Sequence, residues 1–398
     1  MSSQVNAFVA LETGIGAESV APLLPTEDDI HVLDYVEGLD PSLSALQASS
    51  AELVIFACSP DSREAVTLIE QAVGQRPDRP VVVLQMGTAE SNGFMHEVFG
   101  AGADDIVSAS ESPERVRHTL QKVIARRRGA ALAKGGAPAR LICVLGPKGG
   151  TGKTVTTCNV GVALADAGLA TTIVDLDLHF GDVGLGLRLS PEQTIFDLAR
   201  SAGALDAEKL DGFTVSHPSG VRVLLAPTRP DHAGAVSTSF VAEVLAILRA
   251  TSDVVVVDTP AGFPPEVITA IDSSTDVCMV GMLDAFSLKD TKLGLETLDL
   301  MGYDPAATRV VLNRADSHVG IGLNDVKAIL GRAPDILVPS DRDIPRSVTE
   351  GVPIITSSPR SVAAKAYLQL AEHYAAEPAG APVAVATTSR RRSLLRRT

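Results

Sequence analysis

Between Gly146 and Thr154 the chain reads GPKGGTGKT, which sets two lysines and two threonines among glycines. Gly149, Gly150 and Gly152 let successive backbone N–H groups turn toward one anion, with Thr151 inside the same turn. A helix starting just after adds the partial positive charge of its N-terminus. Lys153 is then placed to meet phosphate oxygens, and the Thr154 hydroxyl to ligate Mg²⁺. The run is read here as the phosphate-loop pattern GxxxxGK[ST]. Its context fits: LICVLGP (141–147) is an apolar strand, and VTTCNVGVALADAG follows as an apolar helical segment.

Three further strand-like runs end in polar residues. TTIVDLDLHFGDVG (171–184) delivers Asp175 and Asp177, VVVVDTPAGFP (254–264) delivers Asp258, and RVVLNRAD (309–316) delivers Asn313. The carboxyl ends of strands are where an open α/β sheet gathers its ligand groups. Carboxylates beside a phosphate loop suit metal and water management; solvated loop carboxylates are the alternative. Asp258, at the end of a four-valine strand, is read as a Mg²⁺ carboxylate acting through water. Pro260 and Gly262 respectively constrain and free the backbone that follows it.

The early lysine adds something. KGGxGK[ST], with Lys148 at its start, resembles the deviant Walker A loop of the MinD/ParA ATPase family, and the resemblance spans about residues 140–375. It implies an ATPase, slow without a partner, that binds ATP and Mg²⁺. Lys148 would reach across a homodimer, formed on ATP binding, to the partner's nucleotide. Asp175 would lie near the metal and Asp177 would orient the attacking water, with Asp182 in the same switch-like segment. TPAG after Asp258 resembles the second switch. Asn313, able to donate and accept hydrogen bonds, would meet the adenine edge. In ILVPSDRDIPRSVTEGVPI (336–354), Pro339 and Asp341 match the adenine loop. A reductase of the nitrogenase iron-protein type would need paired cluster cysteines in the second switch, which are lacking.

These residues need a scaffold. At 398 residues two domains are expected. With 45% hydrophobic and 21% charged residues the composition is globular and rules out a mostly disordered chain. The expected fold class is α/β: a P-loop NTPase domain with a doubly wound, mostly parallel sheet over 141–375, preceded by a receiver-like (flavodoxin-like) α/β domain over 1–128. A linker over 129–140 joins them, and a basic, flexible tail fills 376–398. In the first domain LVIFAC (53–58) and PVVVLQM (80–86) read as buried parallel strands, and Pro113 to Ala125 carries a helical stripe. FGAGADDIV (99–107) resembles the segment before the last strand of two-component receivers. Phosphotransfer chemistry is missing there. Ala57 and Cys58 stand where the phosphoacceptor aspartate belongs, only Glu12 is near the acidic pair, Gln85 ends the fourth strand, and no lysine follows IVSAS. The module is expected to bind partners or dimerise; an unrelated flavodoxin-like domain is the alternative.

That attached domain, and DLDLHFGDVG rather than DxDPQ, resemble the CpaE/TadZ subgroup. This implies a switch that positions Flp/Tad (type IVb) pilus assembly machinery through pilus secretion or polar-localisation proteins. A septum-site-determining regulator and a static scaffold without turnover remain as alternatives. The net charge of −14 argues against nucleic acid as the main partner, and 4% aromatics without Trp argues against base stacking. Five arginines between Arg390 and Arg397 could touch an anionic membrane, or form a plain solvated tail. With no signal-like N-terminus and no spanning apolar run, a cytoplasmic protein is expected, at most peripheral at the inner membrane face, at a pole or septum. Cys58, Cys143, Cys158 and Cys278 lack metal-site spacing, and three lie in strand-like runs; reduced core residues are expected.

Overall fold

The computed structural model describes residues 5–24, 30–77, 79–87, 92–113, 115–117, 119, 120, 123, 124, 139–190 and 192–376. The expected linker, apart from residues 139 and 140, and the basic tail, apart from Ala376, lie outside them. The chain forms two compact units. One holds Met1–Gly136 with Ser201–Lys209 and Ser237–Ala250; the other holds Ala137–Arg200, Leu210–Val236 and Thr251–Thr398.

In the first unit five strands form one sheet: β1 (Val5–Leu11), β2 (Ile30–Glu37), β3 (Leu53–Cys58), β4 (Val81–Gln85) and β5 (Asp105–Ser108). The order is β2-β1-β3-β4-β5 with every pair parallel, the flavodoxin-like doubly wound order. The continuous apolar runs follow from burial on both faces. Leu53, Ile55 and Ala57 enter one core with Val116, Leu120 and Val123, while Val54, Phe56 and Cys58 enter the other with Leu68, Ile69 and Ala72. Strand alternation thus feeds two cores, which is why every residue of β3 is apolar. The expected helix over 113–125 is described only in part, but its apolar stripe is buried at these positions.

The second unit carries eight strands: β6 (Arg140–Leu145), β7 (Thr171–Asp175), β8 (Val215–Ser216), β9 (Arg222–Leu224), β10 (Val254–Asp258), β11 (Asp276–Met282), β12 (Thr308–Asn313) and β13 (Ile336–Val338). Their order is β13-β12-β11-β6-β10-β7-β9-β8. Only β8–β9 is antiparallel among the described pairs. This is an α/β fold with a parallel P-loop NTPase sheet. Helix Lys153–Asp166 is buried on most sides: Val160, Val162 and Leu164 share a core with Ile142 and Ile173 of the sheet and with Tyr367 and Leu370 of helix Val362–Ala376. Asn159 ties it further, donating to Val155 O and accepting from Ile355 N.

Parallel pairing puts the ends of β6, β7, β10, β12 and β13 on one edge. The insertion of β10 between β6 and β7 matters most. It sets Asp258 level with Val144 and Asp175 in the ladder.

All four cysteines are buried as free thiols; Cys158 lies in helix Lys153–Asp166, the others in strands. Burial first, and neighbouring acidic groups next, push the Cys58 and Cys158 thiols up. They are unreactive core residues at neutral pH. No helix among the described residues is long and apolar enough to cross a membrane.

Candidate functional site

The loop after β6 turns on glycine backbone. Gly150 has φ +76° and Gly152 φ +96°, left-handed values costly for other residues. Gly152 also N-caps helix Lys153–Asp166. A Cβ there would collide with the Asn313 side-chain nitrogen. Gly146 has another reason to lack a side chain, since a Cβ would lie 2.8 Å from Val280 O. The spacing corrects one sequence reading. GxxxxGK[ST] counted back from Gly152 begins at Pro147, and Gly146 stands one residue too early. The loop keeps Gly149, Gly150, Gly152 and both lysines, and its first position is filled by proline.

Lys153 is buried, 8% exposed, and its Nζ donates to Lys148 O at 3.4 Å across the loop. Burial lowers its pKa, and the carboxylates of Asp258 and Asp177 oppose that shift. A desolvated ammonium beside the loop backbone is prepared for anionic oxygen. Thr151, also buried, directs its hydroxyl to Lys148 O at 3.4 Å.

Asp258 is 1% exposed, and both of its oxygens are engaged. Thr154 Oγ1 donates to Oδ2 at 2.7 Å and Thr157 Oγ1 to Oδ1 at 2.9 Å. Burial raises its pKa to about 6, against the pull of the two hydroxyls and Lys153. Asp175 is equally buried. It accepts from Asp177 N at 3.1 Å and Val183 N at 3.2 Å, and burial, with Asp258 next, pushes its pKa well up. Asp177 lies two residues past β7 and accepts from Phe180 N at 3.1 Å. Asp182 precedes the short helix Val183–Gly186 without capping it through its side chain. Two buried carboxylates and a threonine hydroxyl form an all-oxygen donor set suited to a hard cation such as Mg²⁺. No cluster of three or more His, Cys, Asp or Glu among the described residues could hold a metal alone. A Mg²⁺ ion here would therefore share phosphate oxygens, its usual mode.

Sequence patterns could not show where four of the candidate residues, Lys148, Asn313, Pro339 and Asp341, stand. The Lys148 ammonium does not join Lys153. It lies 3.6 Å from Asp284 Oδ1 and 5.6 Å above the exposed Phe286 ring. Asp284 N-caps helix Ala285–Leu300, accepting from Ser287 N at 2.9 Å. Asn313 is buried, and its Nδ2 donates to Thr151 O at 2.6 Å, so it braces the phosphate loop directly. Pro339 and Asp341 lie in the loop after β13, on the edge shared with Asn313. The two loops are tied there by Ser340 N donating to Asp316 Oδ1 at 2.6 Å. Asp341 itself accepts from Asp343 N at 2.9 Å. The sequence reading passed over Asp284, Phe286 and Thr157. Only Thr157 left a signal, a polar residue three positions past Thr154 on the same helix face.

The profile of the CobQ/CobB/MinD/ParA nucleotide-binding domain (CbiA) matches residues 142–354. A chloroplastic septum site-determining MinD homologue of Arabidopsis thaliana is 27% identical over 271 residues, covering 65% of this chain and 81% of that protein. The antiactivator FleN of Pseudomonas aeruginosa is 27% identical over 248 residues, covering 59% and 86% respectively. Among solved structures, the cell division ATPase MinD of Pyrococcus furiosus superposes with a TM-score of 0.54 at 29% identity, covering 60% of this chain and 99% of that one. The septum site-determining MinD of Pyrococcus horikoshii, solved with Mg-ADP, gives a TM-score of 0.53 at 27% identity, covering 59% and 95%.

Proposed function

The chain belongs to the CobQ/CobB/MinD/ParA nucleotide-binding family, and from that premise we propose that it is an ATP-hydrolysing, Mg²⁺-dependent switch that dimerises on ATP. The observation that carries this reading is the convergence on one sheet edge of the glycine loop, Lys153, Thr154, Asp175 and Asp258. In the proposed roles Lys153 and the loop amides hold the β- and γ-phosphates, with Gly149, Gly150, Thr151 and Gly152 shaping the cradle. Thr154, Asp175 and Asp258 hold Mg²⁺, which when bound supplies positive charge against the phosphate oxygens. Asp177 orients the water that attacks the terminal phosphorus, and ADP and phosphate leave. Asn313, Pro339 and Asp341 bound the adenine.

Lys148 supports the dimer. Its ammonium is turned to Asp284 and Phe286 rather than to its own loop. A second copy's nucleotide gives it a target, where its charge opposes charge developing in the transition state. Loss of the terminal phosphate then releases the segments around Asp177 and after Asp258.

We further read the N-terminal sheet as a receiver-like module without phosphotransfer. Its flavodoxin-like order supports this reading, as do the buried Ala57 and Cys58 where a phosphoacceptor would stand. With that module attached, the switch is proposed to position Flp/Tad pilus machinery through a secretion or polar-localisation protein. The names of the MinD relatives favour a second reading, septum placement. Contact of Arg390–Arg397 with anionic membrane is part of the same proposal, though that tail lies outside the described residues.

The test is light-scattering mass of the full chain with Mg²⁺ and ATP against ADP, using Asp177→Ala to slow turnover. A dimer only with ATP is the expected result. The same mass in both nucleotides rejects the switch and leaves a static scaffold.

A further inference from the structure

Helix Lys153–Asp166 contains four threonine or asparagine side chains in its first two turns, and they behave differently. Thr156 makes the ordinary helical bond, its hydroxyl donating to Gly152 O at 2.9 Å, four residues back. Thr157 does not. Its hydroxyl crosses to Asp258 Oδ1, a residue 101 positions away, at 2.9 Å. Thr157 is fully buried, Asp258 is 1% exposed, and the hydroxyl has no route to solvent. Thr154, one turn earlier on the same helix face, holds the other oxygen of the same carboxylate, but it is only half-buried and sits at the loop.

The two hydroxyls therefore have different freedom. If Thr154 turns toward a cation at the phosphate loop, it gives up Asp258 Oδ2. Thr157 keeps Oδ1 and with it the plane of the carboxylate. We infer that Thr157 is a positioning residue for the metal carboxylate: it clamps one oxygen of Asp258 so that the other faces the cation in one orientation. The inference rests on the reading that this site takes a Mg²⁺-nucleotide. Hydrogen-bond partners that orient metal-binding carboxylates typically account for about 10–100-fold in metal affinity.

Binding of a fluorescent N-methylanthraniloyl ATP to the full chain tests this, titrated with Mg²⁺ from an EDTA-treated start, for wild type, Thr157→Val and Thr157→Ser. Valine keeps the shape and removes the hydroxyl; serine restores the hydroxyl. In Thr157→Val the half-point for Mg²⁺ should rise by about tenfold or more. Thr157→Ser should return to near wild type, and all three should bind the nucleotide equally in EDTA. An unchanged Mg²⁺ half-point in Thr157→Val overturns the inference. So does lost binding in EDTA, which would make Thr157 a support of the helix rather than of the carboxylate. If wild type itself binds the nucleotide without responding to Mg²⁺, the underlying Mg²⁺-nucleotide reading fails, an outcome visible before any variant is compared.

Discussion

At the carboxyl edge of the five-stranded sheet, Glu12 accepts the Ser59 amide at 2.6 Å and Glu37 the Gly14 amide at 2.7 Å, so both carboxylates serve the backbone of nearby loops. At the carboxyl edge of the eight-stranded sheet, Asp258 is held by two hydroxyls and faces a buried lysine. Both sheets are doubly wound, the first parallel throughout and the second parallel except at β8–β9. In the first, strand ends β3 and β4 carry Ala57, Cys58 and Gln85, and the sequence places no lysine in the loops that follow β1, β3 and β4. In the second, the strand ends carry Asp175, Asp258 and Asn313 around a glycine loop. Topology gathers loop ends; chemistry depends on which side chains stand there and on whether their partners can let go. A backbone amide given to Glu12 has no other use, whereas the Thr154 hydroxyl can rotate.

Four substitutions probe this contrast. The largest effect is expected from Lys153→Ala, which removes the charge inside the loop. ATP turnover, measured as phosphate release, should fall by about 10²-fold or more. Turnover within a few-fold of wild type would show that the second edge is as inert as the first. Next is Lys148→Ala. It should retain ATP binding yet lose the ATP-dependent dimer in light scattering, and full dimerisation would remove the cross-subunit role.

A smaller effect concerns stability. The pKa of Asp258, about 6 in the folded protein, lies above its unfolded value near 3.9. The folded state therefore binds the extra proton between about pH 4 and 6. Stability from this group is greatest below that window and falls as pH rises through it, by roughly 1–3 kcal/mol. Asp258→Asn, free of metal and nucleotide, should thus melt higher than wild type at neutral pH, and the gap should close toward pH 4. An equal gap at both pH values would mean that burial does not penalise the charged carboxylate. The smallest effect is expected from Glu12→Gln. Weakening one charge-assisted amide contact should lower stability of the first unit by about 0.5–1.5 kcal/mol in urea unfolding. ATP turnover should stay unchanged, and a change would mean that the first edge takes part in the chemistry.

Much of the frame was legible in the chain. Strands 53–58, 171–175 and 254–258 stand out as short β-branched runs because both of their faces are buried. The phosphate loop is local chemistry, a strand, glycines and a helix start, so its residues could be named at once. Its first glycine was misplaced, because Gly146 is selected by the closeness of Val280 O and not by the loop pattern. The neighbours of Lys148 were not legible. Asp284 and Phe286 come from the start of a helix five strands later in the chain, and nothing local marks them.

What the sequence alone determined is therefore whatever depends on a few consecutive residues: the glycine turns, the apolar strands, and the polar residues that end them. Backbone sterics and side-chain alternation act over that range. Tertiary structure decided which strand ends meet. Placing β10 between β6 and β7 joined Thr154 and Thr157 to Asp258, and the place of β12 in the sheet brought Asn313 to the carbonyl of Thr151. Those contacts span more than a hundred residues. They follow from the order in which strands pack to bury both faces of the sheet, which no short stretch of sequence contains.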